Sequence, residues 1–394
     1  MTPPTPTPTP TPAPGPNSAT NAARPAPSTH DAEAFLERLV RTPSVSRRER
    51  AAAELFIATA SAWGLHAAID ESGSPCASTS GDPTRAEPGV RDIVLLGHID
   101  TVPGEIDVRR EGRILHGRGT VDAKGPLACF LAAASRAIPP GGVRFVVIGA
   151  VEEEVATSKG ARAAAGRYTP SACLIGEPSG WNGVTLGYKG RLIAEARLER
   201  PRTHTAGPNG SSADAVFEFW ARVREAVAEM NRGRDGAFGT IQASLRGVEA
   251  SSEDGLSDRA RLDAGFRLPP GVTPGEVEAV CRRCGPGLEL AFRGPEHAYV
   301  ADRSSPVARA IVNAVRDAGG SPALKHKTGT SDMNVVGPVW GCPIAAYGPG
   351  DSALDHTPEE HLDLDEFGRA AGVLEAALRS LTAELAARST RADE

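Results

Sequence analysis

Three apolar runs end abruptly in a histidine or an acid, and that repeated pattern restricts this chain more than any other feature. Ile93-Val94-Leu95-Leu96 runs into Gly97-His98-Ile99-Asp100, residues 143–148 lead to Glu152-Glu153-Glu154, and residues 172–175 lead to Gly176-Glu177-Pro178. Short apolar runs bounded by glycine read as buried strands. Helical patterns separate them, including one from about Gly125 to Ala137. Strands alternating with helices predict an α/β fold with a mostly parallel sheet. Such open sheets bind ligands outside the carboxyl ends of their strands. Residues two apart in a strand point the same way, which puts His98 and Asp100 on one side of a strand end.

Other elements follow in order. Ser28 or Thr29 caps a helix carrying Phe35, Leu36, Leu39 and Val40. Ser46-x-x-Glu49 predicts a capping box opening a helix through 51–63. Residues 71–90 read as a loop, and a glycine-rich hairpin region extends to Gly119. Near Tyr188 the pattern changes, because Leu192, Ala194, Ala196 and Leu198 alternate as in a half-exposed antiparallel strand. A long amphipathic helix follows (Val216, Phe217, Trp220, Val223, Val227, Met230), then strand-like runs at 237–246 and 260–268. Thr273, Pro274 and Glu276 open another helix, and a strand near 288–293 closes the block. The prediction is a catalytic α/β domain over 30–187 and 298–394. Inserted in it, over 188–297, is an α+β, ferredoxin-like lid.

At 394 residues the chain suggests about two domains, and 40% hydrophobic with 23% charged residues fits a soluble globular protein. A net charge of −6 without a Lys/Arg stripe argues against nucleic acid. No apolar stretch approaches the roughly 18 residues of a membrane span. The Pro/Thr-rich residues 1–29 have neither the basic start nor the apolar core of a secretory signal, and read as a disordered tail. Six scattered cysteines suit a reduced, cytoplasmic setting. Cys281-x-x-Cys284 lacks the second pair that a zinc site would need.

His98, Asp122, one of Glu152–Glu154, Glu177 and His356 are therefore candidate ligands at strand ends. Two imidazoles and three carboxylates suit a pair of divalent metals with one carboxylate bridging, about 3.5–4 Å apart. Nitrogen and oxygen donors favour zinc, with cobalt or manganese as alternatives. Asp100 would orient His98 through its other ring nitrogen. A glutamate beside a ligand is placed to take a proton from water, a contribution of about 10²–10⁴-fold.

His98-x-Asp100, Gly119-x-x-Asp122-x-Lys124-Gly125, the three glutamates with Gly160 following, Gly176-Glu177-Pro178 and His356 resemble the ordered motifs of the co-catalytic zinc peptidase/deacylase family. The resemblance covers everything after the tail. It implies that His98, Asp122 and Glu177 hold one metal and that Asp122, Glu154 and His356 hold the other. Glu153 would be the general base and Asp100 the orienting carboxylate. It also implies that His204 reaches a partner subunit's active site in a homodimer, and that Arg267 binds a substrate carboxylate. Thr330 and Ser331 would offer backbone N–H groups at a helix start. Residues 175–181, 186–190, 327–334 and 347–360 resemble more narrowly the LysW-lysine/ornithine hydrolase branch. Members of that branch release lysine or ornithine from the C-terminal glutamate of a small acidic amino-group carrier protein. Lys159, Arg162, Lys189, Arg191, Lys325 and Lys327 are the local candidates for a basic docking rim. Acetylornithine deacetylase or succinyl-diaminopimelate desuccinylase chemistry is the neighbouring reading. A non-catalytic binding module would not need a base beside its metals.

Overall fold

The computed structural model describes residues 26–202, 204 and 210–392, so most of the predicted tail lies outside the described residues. A nine-stranded sheet forms the larger body. Its centre consists of Val143–Ala150, Arg91–His98, Ala172–Gly176 and Ile344–Tyr347, paired in parallel in that order. These strands are almost wholly buried, which is why each reads as an unbroken apolar run. The flanks are antiparallel: Pro75–Ser78 and His66–Ile69 on one side, Gly183–Tyr188 and Tyr299–Val300 on the other. Ala323–Lys327 adds a parallel strand beside Gly183–Tyr188.

Helices Thr29–Val40, Lys124–Arg136, Pro306–Asp317 and Leu364–Ala392 pack on one face, and Lys159–Arg167 with Asp332–Trp340 on the other. None of the described helices is long and apolar enough to cross a membrane. Ser28 closes a capping box with Asp31, and Thr273 does the same with Glu276. The run read as strand from 237 begins in a short helix, Gly236–Gly239, before the strand Gln242–Ser251, and two further expectations fail. Pro75–Ser78 is a strand within the segment read as loop, because its short side chains are buried against Val146–Ile148. Ser46-x-x-Glu49 is not a capping box, since the helix Arg50–Ala62 starts after Glu49 without a side-chain cap.

The second sheet has the order Gln242–Ser251, Ser257–Leu268, Gly190–Pro201, Glu289–Glu296, all antiparallel. With helices Ser212–Met230 and Pro274–Cys284 it makes the β-α-β-β-α-β arrangement of a ferredoxin-like unit. Leu192, Ala194, Ala196, Leu262, Ala264 and Phe266 face those helices and form a core of their own with Val216, Phe219 and Val277. Cys281 belongs to that core, so the C-x-x-C pair has a packing role. The opposite face carries charge. A small third sheet pairs His361–Asp363 with Ile114–His116 and Arg109–Glu111.

Candidate metal centre and cleft

The central strands end together. Gly97 and Gly176 are register partners, and a Cβ on Gly176 would stand 2.9 Å from Gly97 Cα, so only glycine lets these strand ends run side by side. His98 ends one strand with 1% of its surface exposed, and Glu177 follows the next. Asp122 arrives from the loop before Lys124–Arg136. Buried Glu360 fixes that loop: Oε1 accepts the N–H groups of Val121 (3.0 Å) and Asp122 (3.2 Å), and Oε2 pairs with Arg118 (2.8 Å). His356 and Glu152 both have φ of 60°, in the left-handed region that side chains other than glycine's avoid.

Asp122 lies between the two histidines. His98 Nε2 is 3.1 Å from its Oδ1 and His356 Nε2 is 2.9 Å from its Oδ2. His356 Nε2 is also 3.0 Å from Glu154 Oε1. Ligand atoms of His98, Asp122 and Glu154 all fall within 4.8 Å of one another, so these residues could hold a metal ion. Burial disfavours charge on His98, but its hydrogen bonds to Asp100 and Asp122 outweigh this and raise its pKa well above the ordinary value. Hydrogen bonds to Asp122 and Glu154 push His356 up to about 10. Despite burial, Asp122 is held far below the usual carboxylate range by His356 and His98.

The other acids move the opposite way. Burial raises Glu153 well above its ordinary value, raises Glu154, and pushes Glu177 and Asp355 to about 8 and Asp332 to about 7. Six acids around two histidines are short of positive charge. An imidazole–carboxylate donor set in that condition fits a pair of divalent ions.

The three glutamates separate cleanly. Glu152 turns away, its Oε2 accepting from the Thr157 hydroxyl at 2.7 Å and lying 3.7 Å from Arg47. Glu153 and Glu154 turn inward. Asp100, fully buried, receives their backbone N–H groups on its two carboxylate oxygens, each at 3.1 Å. His98 Nδ1 meets the Asp100 backbone carbonyl at 3.0 Å and its carboxylate at 3.5 Å. Asp100 thus aligns His98 and the glutamate loop together. Ser46 and Glu49, missed as site residues, brace the same loop: the Ser46 hydroxyl donates to Asp100 (2.7 Å), and Glu49 accepts Glu152 N–H (3.2 Å). The signal was present in Ser46-x-x-Glu49, but its bonds are long-range.

The sequence model of peptidase family M20/M25/M40 matches residues 94–380. The chain belongs to that family. A [LysW]-lysine hydrolase of Deinococcus radiodurans is 46% identical over 366 residues, covering 91% of this chain and 99% of the relative. A putative [LysW]-lysine/[LysW]-ornithine hydrolase of Pyrococcus horikoshii is 37% identical over 347 residues, 88% of this chain and 96% of the relative. In fold, an M20 family metallo-carboxypeptidase from Sulfolobus solfataricus superposes with a TM-score of 0.73 at 17% identity, covering 90% of this chain and 99% of that one.

In this M20 chain a cavity of about 940 Å³ opens between the cluster and the lid. Glu153, Glu154, His356, Arg267 and Thr330 line it, and Arg267 Nη1 donates to the Thr330 hydroxyl at 2.8 Å. Arg191, Arg246 and Arg293 line the same cavity. Ser331 caps the helix Asp332–Trp340 and is buried away from the cavity wall. His204 is exposed beyond the strand Gly190–Pro201, and most of the segment around it lies outside the described residues. Of the predicted rim, Lys189 is wholly buried and donates to Ala237, Thr240 and Gln242, which removes it from any docking surface. Arg246 and Arg293, which the sequence reading did not single out, line the cavity beside Arg191 and Arg267.

Proposed function

We infer that this M20 protein is a two-metal amide hydrolase that frees lysine or ornithine from the C-terminal glutamate of a small acidic amino-group carrier protein. The observation that carries the reading is Asp122 offering one oxygen to each side of a histidine pair, the arrangement a bridging carboxylate needs. His98, Asp122 and Glu177 would hold one ion and Asp122, Glu154 and His356 the other. Zinc fits the donors best and cobalt is the alternative. Bound there, the metal pair supplies Lewis acidity toward an amide carbonyl and makes water more acidic.

Glu153 lies on the cleft wall with its proton affinity raised by burial. It takes a proton from the attacking water and returns it to the leaving amine. Asp100 keeps His98 and the glutamate loop in register. Arg267 and Thr330 bind a substrate carboxylate, and in a homodimer His204 reaches the partner subunit's cleft and polarises the carbonyl. The arginines of the larger cavity suit an acidic acyl group, and the relatives of Deinococcus and Pyrococcus support the carrier protein as its source. A cytoplasmic setting follows from that biosynthetic role.

The test is amine release by zinc- or cobalt-loaded enzyme from carrier protein γ-linked to lysine or ornithine, with N-acetylornithine in parallel. Release from the carrier conjugate alone is the expected result. Release from N-acetylornithine alone would replace the substrate and leave the chemistry standing.

A further inference from the structure

The cleft has two arms. Glu153, Glu154, Arg267, Thr330 and His356 line both, so the arms meet where the reacting bond would lie. The larger is the arginine-lined cavity of about 940 Å³. The smaller, about 430 Å³, has a different wall. Three of its lining residues hold buried polar atoms with no hydrogen-bond partner among the described residues: the Tyr188 hydroxyl, the Lys327 ammonium and Asp355 Oδ1. Lys327 Nζ lies 5.9 Å from the centroid of the Tyr188 ring. Buried polar atoms in folded proteins are nearly always paired, and each exception calls for an explanation. Here two donors, one of them cationic, and one carboxyl group belong to residues of a single wall. Such a wall complements a small group that carries both signs of charge.

We propose that the smaller arm receives the amino acid released in hydrolysis, and that Asp355 selects a cationic side chain on it. Lys327 and Tyr188 donate to the amino acid's carboxylate, and Asp355 accepts from its side-chain ammonium. The acidic acyl side then occupies the arginine arm. This assignment rests on the amide-hydrolase reading above, and it gives a role to the Tyr188, Lys327 and Asp355 motifs that the metal centre does not use. A charged, hydrogen-bonding pocket rejects a ligand that lacks the matching group more strongly than an apolar pocket rejects a size change.

The experiment gives the zinc-loaded enzyme two matched pairs. One is carrier protein γ-linked to lysine or to norleucine, and the other is Nα-acetyllysine or N-acetylnorleucine. Norleucine is lysine without its ammonium. The wild type should favour the lysine member in kcat/KM by about 10- to 100-fold, the range expected for a hydrogen bond to a charged group. Asp355→Asn should lower that ratio about tenfold, whereas Lys327→Met should raise KM for both members. An unchanged ratio in Asp355→Asn overturns the proposal. If that variant fails to fold or to load metal, calorimetric binding of free lysine and norleucine to the wild type decides, and equal affinities overturn it. Hydrolysis of the acetyl pair without release from either carrier conjugate would reject the carrier as substrate, while the acetyl ratio would still judge Asp355.

Discussion

Two charged regions of this molecule are built in opposite ways. On the outer face of the lid sheet acids pair with arginines: Arg261 meets Glu195 (2.7 Å) and Asp263 (2.9 Å), Arg293 meets Asp263 (3.2 Å), and Arg259 meets Glu199 (2.8 Å) and Asp254 (2.9 Å). Most of these side chains are half-exposed, and the strand alternation that places them is local. At the strand ends of the α/β body, Asp122, Glu153, Glu154, Glu177, Asp332 and Asp355 gather from segments far apart in sequence, with two histidines among them. Both oxygens of Asp332 are buried without a partner among the described residues. Charge balanced in the open is structural and weakly coupled to anything else. Charge concentrated in a buried place without its counter-ions is a binding site for cations.

The largest effect that would sharpen this contrast is at Glu153. Glu153→Gln keeps the shape of the loop, because the bonds to Asp100 come from the backbone, and removes the carboxyl group proposed to carry the proton. Turnover should fall by about 10²–10⁴-fold with metal content unchanged. Glu152→Gln is the matched control, since Glu152 faces Thr157 and Arg47, and it should retain most activity. Kinetics with metal analysis of both variants checks the pair. If Glu152→Gln were the inactive one, the division of the glutamates would be reversed.

How much of this was readable beforehand depended on the distance over which each signal acts. The central strands were legible because burial on both faces forbids polar residues along the run. The lid was legible because burial on one face imposes alternation, and the Ser28 and Thr273 caps because their partners are three residues away. Ser46 and Glu49 have the spacing of a cap, yet they bond residues 54 and 103 positions distant, which no local pattern encodes. Pro75–Ser78 has neither alternation nor bulk and is a strand only because a neighbour pairs with it. At the site, His98, Asp122, Glu177 and His356 stand in recognisable motifs, whereas Arg246 and Arg293 join Arg191 and Arg267 at the cleft only through sheet register.

The second effect is intermediate and concerns the missing counter-charge. Glu177 and Asp355, held at about 8 in the folded protein, titrate near 4 when unfolded. Between those values the metal-free folded state keeps protons that the unfolded chain has released, so stability falls as pH rises. His356, raised to about 10 by Asp122 and Glu154, stabilises fully below its unfolded value of about 6.5 and loses that contribution on the way to 10. Both signs agree. The melting temperature of metal-free protein should therefore drop between pH 6 and pH 9 by about 5 °C. Added zinc should raise it more at pH 9 than at pH 6, because fewer protons must leave the ligands on binding. A metal-free melt that stays flat across this range would mean the acids are not short of cations, and the contrast with the lid would lose its basis.

The smallest effect belongs to the lid. Arg259 sits between Glu199 and Asp254 near the start of Ser257–Leu268, more than half of its side chain exposed. Ion pairs at that exposure contribute little, because water and salt screen them and two flexible side chains must be held in place. Arg259→Ala should leave the melting temperature nearly unchanged, and kcat/KM on the carrier conjugate should stay at the wild-type level in both low and high salt. Arg259 lines a shallow surface hollow of about 480 Å³ and not either arm of the cleft, so distance supports the same expectation. A loss of kcat/KM confined to low salt would be informative in the other direction. It would show that this face steers the acidic carrier by long-range attraction, and that balanced pairs on the lid still present a field to an approaching partner.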